Sequence, residues 1–229
     1  MRWLAYMVSR LLLNWILAVV TKTHVLHRER TRLPGGWLLV ANHISHFDPP
    51  FLTVAAFRKI DWMATRELYV PGIVSVWMHA VDTFPVDREK SADRAAVRES
   101  VARLQRGRVV GIFPEGGIRD GSRSVLEGAP LKPGLAGLAQ LGNAPVIPCA
   151  LIGSDQLYTH RNWLGFRRAR AWMAFGEPLY FTGEGKAARE AFEAEIAASL
   201  RELGAELKAR FQLTATDLPQ PPARRKGRL

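Results

Sequence analysis

Short apolar runs alternate with longer amphipathic segments through the middle of the chain, and this alternation constrains the fold more than any other feature. The predicted strands cover residues 37–41, 81–86, 109–113, 146–152 and 170–175. The predicted helices cover residues 91–105, 133–141 and 186–210. Interleaved strands and helices are typical of α/β domains, in which helices cover a sheet. We therefore predict a single α/β domain whose mixed sheet is flanked by helices.

An apolar segment precedes this domain. Between Trp3 and Val20, 15 of 18 residues are apolar or aromatic, and the exceptions are Ser9, Arg10 and Asn14. A helix that spans a bilayer needs about 20 mostly apolar residues, and an arginine near its middle opposes central burial. The segment therefore favours a membrane-associating helix that lies in the interface, with Arg10 reaching the headgroups. A single span and an ordinary buried helix remain alternatives.

The chain carries a large positive charge. Its 32 Lys and Arg residues outnumber its 21 Asp and Glu residues by 11, which predicts a polyanionic partner: an anionic membrane, a phosphorylated substrate or a nucleic acid. Nucleic-acid binding is the alternative from another functional class, since residues 161–170 interleave two aromatic residues with four arginines. It leaves the apolar N-terminus unexplained, and we expect no nucleic-acid partner.

The C-terminus is rich in proline and basic residues. Three prolines at 219, 221 and 222 precede Arg224, Arg225, Lys226 and Arg228, a composition that predicts a flexible basic tail. Such a tail is either solvated or attached to anionic lipid. The chain is thus predicted to divide into a membrane-anchoring helical segment over residues 1–34, a domain over 35–212 and the tail over 213–229.

The chain has one cysteine, Cys149, which excludes a disulfide framework and a cysteine-based zinc site. It lies within the apolar run 146–152, so we expect a buried structural thiol rather than a nucleophile. No HExxH pattern occurs, and we predict that the protein holds no metal. A metal site formed by His43, His46 and Asp48 is the alternative.

A histidine and an aspartate, His43 and Asp48, follow the first predicted strand. An aspartate that accepts a hydrogen bond from one ring nitrogen fixes the imidazole tautomer, which leaves the other nitrogen free to take a proton from a hydroxyl. Loops after strands are where α/β proteins build their sites. We therefore predict a general base here; a polar helix start capped by Asp48 is the alternative.

Cations and glycines follow two further predicted strands. Arg88 comes after 81–86, and Gly116, Gly117 and Arg119 come after 109–113. A guanidinium offers a planar fork of donors to phosphate, and glycines let backbone amides approach a ligand. Lys132 is a further cation at a predicted helix start. These residues predict a phosphate site, and surface ion pairs or a solvated lysine are the alternatives.

Four blocks in order resemble the glycerolipid acyltransferases of the 1-acyl-glycerol-3-phosphate acyltransferase type. They are Asn42-His43 through Asp48, Phe84 to Arg88, Phe113-Pro114-Glu115-Gly116 and Val146-Ile147-Pro148. The resemblance covers about residues 35–180. It implies that His43 is the base and Asp48 its orienting partner. It also implies that Arg88 and the loop of Glu115 hold a phosphorylated acceptor.

The resemblance implies transfer of a fatty acyl chain from acyl-CoA or acyl carrier protein to 1-acyl-sn-glycerol-3-phosphate, which forms phosphatidic acid in phospholipid synthesis. A thioester is already activated, so we expect no cofactor beyond the donor itself. The implied partners are the phospholipid bilayer and a lysophospholipid. The basic residues just beyond the apolar segment predict a location at the anionic cytoplasmic face of the cell membrane; they are Lys22, Arg28, Arg30 and Arg32. Another lysophospholipid or an aminolipid is the alternative acceptor.

The chain departs from the family pattern at two positions. The third block often continues Thr-Arg after Glu-Gly, whereas here Gly117-Ile118 follows and the arginine arrives one place later, at Arg119. Asp82 stands near a position where the family often has glycine.

Overall fold

The computed structural model describes residues 2–69, 72–87, 93–163 and 168–227. Within these ranges the strands are β1 (Thr21–Leu26), β2 (Trp37–Ala41), β3 (Ile60–Thr65), β4 (Phe84–Val86), β5 (Val109–Ile112), β6 (Val146–Ile152) and β7 (Ala169–Phe175). They form one sheet in the order β1-β7-β6-β2-β5-β3-β4. Neighbours are parallel except β6 and β7, which pair antiparallel. The prediction of an α/β domain with a mixed sheet is confirmed.

Helices cover both faces of the sheet. The helices in the described ranges are α1 (Arg2–Val20), α2 (Asp48–Ala55), α3 (Ile73–Ala80), α4 (Arg94–Gln105), α5 (Leu135–Gly142), α6 (Gly185–Arg210) and α7 (Pro222–Arg225). Because side chains alternate along a strand, β2 sends Leu38 and Val40 into a core with α4, α5 and α6. Its Trp37 and Leu39 enter a second core with α1 and α2 on the opposite face.

The predicted strands 37–41 and 146–152 are confirmed to the residue. The strand predicted over 81–86 is confirmed only from Phe84, because residues 81–83 form the turn between α3 and β4. The sequence analysis missed β1 and β3. Both mix polar with apolar residues, and neither is bounded by the Gly or Pro signals that marked the other strands.

Asp82 lies in the turn between α3 and β4 with a φ of 67°, in the left-handed region that favours glycine. Its carboxylate pairs with Lys59, Arg103 and Arg108. Burial by itself raises the pKa of Asp82, but these cations outweigh burial and lower that pKa to about 2. The ion pairs stabilise an aspartate where the backbone suits glycine, which accounts for this departure from the family pattern.

The predicted N-terminal apolar helix is present as α1, and β1 follows it without a linker. Tyr6, Leu17 and Val20 are buried against the domain. The large side chains on the rest of the surface are exposed: Trp3, Leu4, Met7, Val8, Leu11, Leu12, Trp15, Ile16 and Val19. Among the described residues, α1 alone is long and apolar enough to cross a membrane. Residues 21–26, within the predicted anchoring segment 1–34, form an edge strand of the sheet.

The described part of the C-terminal segment packs against the domain, whereas a flexible tail was expected over 213–229. Arg225 Nε lies 2.6 Å from Oδ2 of the fully buried Asp155. Asp217 is also buried and pairs with Arg170 at 2.5 Å. Composition predicted flexibility because it does not show that Arg225 and Asp217 in this segment pair with Asp155 and Arg170 elsewhere in the chain.

Candidate active site

Three loops meet at one edge of the sheet. Strand β2 pairs in parallel with both β5 and β6, so the segments that follow these three strands emerge side by side. They are residues 42–48, 113–119 and 153–155. The side chain of Asn42 exchanges two hydrogen bonds with the backbone of Leu151, at 2.9 and 2.8 Å. These bonds extend the β2–β6 pairing and fix the start of the loop that carries His43.

His43 and Asp48 form a hydrogen-bonded pair, as the sequence predicted. His43 Nδ1 lies 2.7 Å from Asp48 Oδ2. An ionised carboxylate only accepts hydrogen bonds, so Nδ1 donates and the lone pair of the ring lies on Nε2. Asp48 is fully buried, whereas His43 is 8% exposed at the site edge. The arrangement leaves one ring nitrogen able to accept a proton.

Asp48 is the first residue of α2, and several donors hold its carboxylate in place. Oδ2 accepts hydrogen bonds from the backbone N–H groups of Ile44 at 2.7 Å and Ser45 at 2.9 Å. Oδ1 accepts hydrogen bonds from the hydroxyls of Ser45 and Ser154. A buried carboxylate needs such donors to remain charged. The N-terminus of α2 and the loop after β6 therefore orient Asp48 together.

An aromatic stack fixes the plane of the His43 ring. Phe113 stacks on His43 with 4.2 Å between ring centroids, and Trp62 stacks on Phe113 at 5.2 Å. The indole N–H of Trp62 donates to Thr53 Oγ1 at 2.8 Å, so α2 anchors the far end of the stack. The rings restrict rotation of the imidazole away from Asp48.

Glu115 joins the loop of His43 to the loop after β5. Its Oε2 accepts a hydrogen bond from the backbone N–H of His43 at 2.6 Å. Its Oε1 accepts from Val125 N at 2.7 Å and Ser124 Oγ at 3.0 Å. Burial raises the pKa of the Glu115 carboxyl, and these donors oppose the rise. Glu115 thus positions the backbone beside His43, while a direct contact of Glu115 with an acceptor stays a prediction.

Two cations lie beside this loop. Gly116 has a φ of 71°, and a Cβ there would clash with the side chain of Lys132. The Arg119 guanidinium lies next to Gly117, and Arg119 N donates to His43 O at 2.8 Å. Neither cationic side chain forms an ion pair with the acidic residues that the structure describes. The structure therefore brings Arg119, Lys132 and both glycines together near His43.

Arg88 lies outside the described residues, so its predicted role at the site stays a prediction. His46, part of the alternative metal set, accepts or donates a hydrogen bond through Nδ1 with the Tyr158 hydroxyl at 2.5 Å. In the described parts of the chain, no group of three His, Cys, Asp or Glu side chains could hold a metal ion. That the reaction needs no metal also stays a prediction.

Cys149 is fully buried within β6, and burial raises the pKa of its thiol. This position is that of a structural thiol, since a nucleophilic cysteine needs access and a lowered pKa.

The sequence analysis missed Ser154, whose hydroxyl binds Asp48 from 106 residues away. The sequence signal that could have identified Ser154 is its position just after the predicted strand 146–152, because the two other loops of the site also follow predicted strands. Phe113 was quoted as part of a block, but its stacking on the imidazole was not foreseen.

The assembled groups suit proton transfer from a hydroxyl to a nitrogen base. His43 Nε2 can accept a proton, and Asp48 stabilises the imidazolium that results. Arg119 and Lys132 supply positive charge beside Gly116 and Gly117, which suits an anionic substrate.

Comparison with known proteins identifies the family of this chain. Residues 22–152 match the family model described as Acyltransferase. The chain is 28% identical over 169 residues to a 1-acyl-sn-glycerol-3-phosphate acyltransferase of Bacillus subtilis (strain 168), covering 73% of this chain and 79% of that protein. It is 26% identical over 146 residues to a protein of the same name from Streptococcus pneumoniae (strain ATCC BAA-255 / R6), covering 63% of this chain and 50% of that protein.

A solved structure has the same fold. It is the crystal structure of the 1-acyl-sn-glycerophosphate (LPA) acyltransferase, PlsC, from Thermotoga maritima, and it matches with a TM-score of 0.64 at 20% sequence identity. The match covers 86% of this chain and 80% of that one.

Proposed function

Because the chain belongs to the acyltransferase family, we propose that it transfers a fatty acyl group from a thioester to the free hydroxyl of 1-acyl-sn-glycerol-3-phosphate. The product is phosphatidic acid, an intermediate of phospholipid synthesis. The observation that carries the proposal is the 2.7 Å hydrogen bond between His43 Nδ1 and Asp48 Oδ2, which leaves Nε2 free at the open edge of the sheet. The names of the two sequence relatives support this choice of acceptor.

The reaction proceeds by direct transfer. His43 Nε2 takes the proton of the acceptor hydroxyl as the oxygen attacks the thioester carbonyl carbon, and Asp48 stabilises the imidazolium. The tetrahedral intermediate collapses, the carbon–sulfur bond breaks, and the leaving thiolate takes the proton from His43. The donor is acyl-CoA or an acylated carrier protein, since both present a thioester. No cofactor beyond this donor is required.

The acceptor phosphate binds to the cations beside the base. Arg119 and Lys132 flank Gly116 and Gly117, and an arginine binds phosphate through two parallel N–H donors. Arg88, which the family resemblance assigns to the acceptor, adds a third cation. A phosphate held here directs the glycerol hydroxyl toward His43 Nε2.

The enzyme works at the cytoplasmic face of the cell membrane, with α1 lying in the interface. The apolar side chains exposed on α1 support membrane contact. Arg10 donates to the backbone carbonyls of Ala56 and Phe57, and Tyr6 and Leu17 are buried against the domain. A helix that crossed the membrane would have to leave these contacts, so they favour a helix lying on the surface.

One assay tests the acceptor: a panel of lyso-acceptors with a single labelled thioester. We expect 1-acyl-sn-glycerol-3-phosphate to be used at least tenfold better, as kcat/KM, than lysophosphatidylcholine, an aminolipid or monoacylglycerol. A clear preference for another acceptor would overturn the assignment. The same panel with acyl-CoA and acyl carrier protein identifies the donor.

Variants test the phosphate site. We expect Arg119→Ala and Lys132→Ala to lower kcat/KM for the phosphorylated acceptor by about tenfold or more, because a charge-assisted hydrogen bond is worth roughly 1.5–3 kcal/mol. The loss should be much smaller with monoacylglycerol. Arg123→Ala is the matched control, since Arg123 is exposed and pairs with Asp120. Equal losses on both acceptors would reject a phosphate role for Arg119 and Lys132.

A further inference from the structure

Three arginine side chains gather where α2 ends. Arg10 comes from α1, and Arg28 and Arg32 come from the 3₁₀ turn after β1. Arg10 and Arg28 donate to the last backbone carbonyls of the α2 segment, those of residues 54–57. The guanidinium carbons of Arg28 and Arg32 lie 4.4 and 4.1 Å from the centre of the Phe57 ring. We call these three residues the arginine cluster.

In the parts of the chain that the structure describes, no carboxylate neutralises the arginine cluster. Among the described residues, none of its three members forms an ion pair with Asp or Glu, whereas Arg30 on the same turn pairs with Glu177 at 2.5 Å. Burial is the main factor that lowers the pKa of Arg28, and the charges of Arg10 and Arg32 lower it further. Arg28 is therefore close enough to Arg10 and to Arg32 for their charges to repel its own, and an anion would relieve this repulsion.

The fold holds the arginine cluster in place. Thr31 is fully buried; its hydroxyl donates to Arg28 O at 2.7 Å and accepts from Phe57 N at 2.9 Å. These two bonds fasten the 3₁₀ turn to the end of α2. A site whose groups are fixed before binding loses less entropy when its ligand arrives.

The surroundings indicate which anion binds. Phe57 is 38% exposed, and exposed apolar side chains of α1 lie on both sides of Arg10 along the helix. Each guanidinium has five N–H donors, and the Arg32 guanidinium has no hydrogen-bond partner among the described residues, so its donors remain available. Positive charge next to an apolar surface matches a lipid, whose phosphate and acyl chains need both.

We propose that the arginine cluster binds the phosphate of an anionic membrane phospholipid at a site separate from the active site. Asp48 begins α2 and the cluster surrounds its other end, so at about 1.5 Å per residue the two sites lie roughly 10 Å apart along the helix. A lipid held here would orient the domain on the bilayer rather than react. The proposal rests on the proposed function only in placing α1 at the membrane.

The test compares two single variants that remove the same charge. Arg32→Gln alters the cluster without breaking a backbone contact. Arg201→Gln is the matched control, because Arg201 is exposed on α6, which covers the opposite face of the sheet. Binding is measured by co-sedimentation with phosphatidylcholine vesicles that contain phosphatidylglycerol, and with vesicles of phosphatidylcholine alone. Thermal melting confirms that both variants fold.

We expect Arg32→Gln to weaken binding to the anionic vesicles about five- to tenfold, and Arg201→Gln to weaken it twofold at most. Binding to neutral vesicles should not change. Equal losses in the two variants would mean that diffuse charge attracts the protein and would overturn the proposal. A loss of activity with a soluble short-chain acceptor in Arg32→Gln would also overturn it, because the cluster would then serve the acceptor.

The outcomes separate this proposal from the proposed function. If Arg32→Gln binds anionic vesicles like the wild type while acyl transfer continues, the lipid site is wrong and the proposed function stands. If the wild type binds neither kind of vesicle, the proposed lipid site and the proposed membrane location are both wrong. Acyl transfer to a soluble acceptor then still tests the proposed reaction.

Discussion

The candidate active site and α1 use their side chains in opposite ways. At the site edge, Asn42, Asp48 and Ser154 are polar and fully buried, and each has hydrogen-bond partners. On α1, Leu11 and Trp15 are apolar, yet 59% and 66% of their surface is exposed. Polar groups are costly to bury and apolar groups are costly to expose to water. At the active site, hydrogen bonds offset the cost of burying polar side chains. On α1, contact with a membrane would remove the exposed apolar side chains from water.

The comparison teaches that the proposed chemistry and the proposed membrane contact depend on different parts of the chain. The site depends on hydrogen bonds that converge on one carboxylate and one imidazole. The α1 surface depends on apolar area and requires no particular geometry. We therefore expect the two regions to fail independently when they are mutated.

The largest expected effect is on turnover. His43→Ala removes the base, so kcat should fall by about 10²–10⁴-fold, while binding to vesicles should not change. Radiolabelled acyl transfer and vesicle co-sedimentation measure the two properties on the same preparation. Turnover near the wild-type rate would contradict the role of His43, and a parallel loss of vesicle binding would contradict the separation of the two regions.

The second-largest expected effect is on vesicle binding, with activity retained. In a Leu11→Asp/Trp15→Asp double variant, we expect vesicle binding to fall by about 100-fold, because each apolar side chain contributes roughly 1–2 kcal/mol when it leaves water. Activity with a soluble short-chain acceptor should persist, since both side chains are exposed. Leu141→Asp, at a 60% exposed position on α5, is the control and should bind normally. Substitution is preferable to deleting residues 1–22, which would also remove the start of β1.

A third prediction concerns the buried charge next to the site. Burial raises the pKa of Asp155 to about 6, above its unfolded value, so this carboxylate is charged at pH 8 and mostly protonated at pH 5. Arg225→Gln removes a hydrogen bond to a charged group, so it should lower the free energy of unfolding by about 2 kcal/mol at pH 8 and by less at pH 5. Urea unfolding at both pH values measures this.

Arg224→Gln is the matched control for Arg225→Gln, because Arg224 is exposed and adjacent. It should leave stability unchanged at either pH. An Arg225→Gln loss that is equal at pH 5 and pH 8 would show that Asp155 does not titrate in this range. Vesicle binding of the variant indicates whether Arg225 also contacts lipid.

The smallest expected effect is that of Ser154→Ala. The variant removes one donor to Asp48, so kcat should fall about tenfold while KM for the acceptor stays the same. Ser154→Thr keeps the hydroxyl and should restore much of the rate. If Ser154→Ala changes KM instead of kcat, Ser154 acts on the acceptor rather than on the orientation of Asp48.

Local patterns in the sequence predicted the parts of the site that are close together in the chain. His43 and Asp48 are five residues apart and form the predicted hydrogen bond. Gly116 and Arg119 lie in one loop, which the structure places against the loop of His43. Ser154 and the pairing of Arg225 with Asp155 were not found. These contacts join segments 70 or more residues apart, and they depend on the order of strands in the sheet, which apolar periodicity does not reveal.

The exposure of α1 was likewise only partly predictable. Its composition indicated a membrane-associating helix, but the buried side of α1 depends on where Tyr6 and Leu17 meet the domain. Residues 21–26 were assigned to the anchoring segment because this strand contains several polar residues: Thr21, Lys22, Thr23 and His24. A strand at the edge of a sheet tolerates polar residues more readily than a central strand does.

The direct junction of α1 with β1 has a consequence for kinetics. Because no linker separates the helix from the sheet, a protein held at the bilayer by α1 cannot rotate freely relative to the membrane surface. Its active site therefore keeps a fixed distance from that surface and a fixed orientation. Such an enzyme meets its acceptor by lateral diffusion in two dimensions. Its rate should then follow the mole fraction of acceptor in the surface rather than its bulk concentration, and dilution of the acceptor with inert phospholipid should slow the enzyme at constant total acceptor.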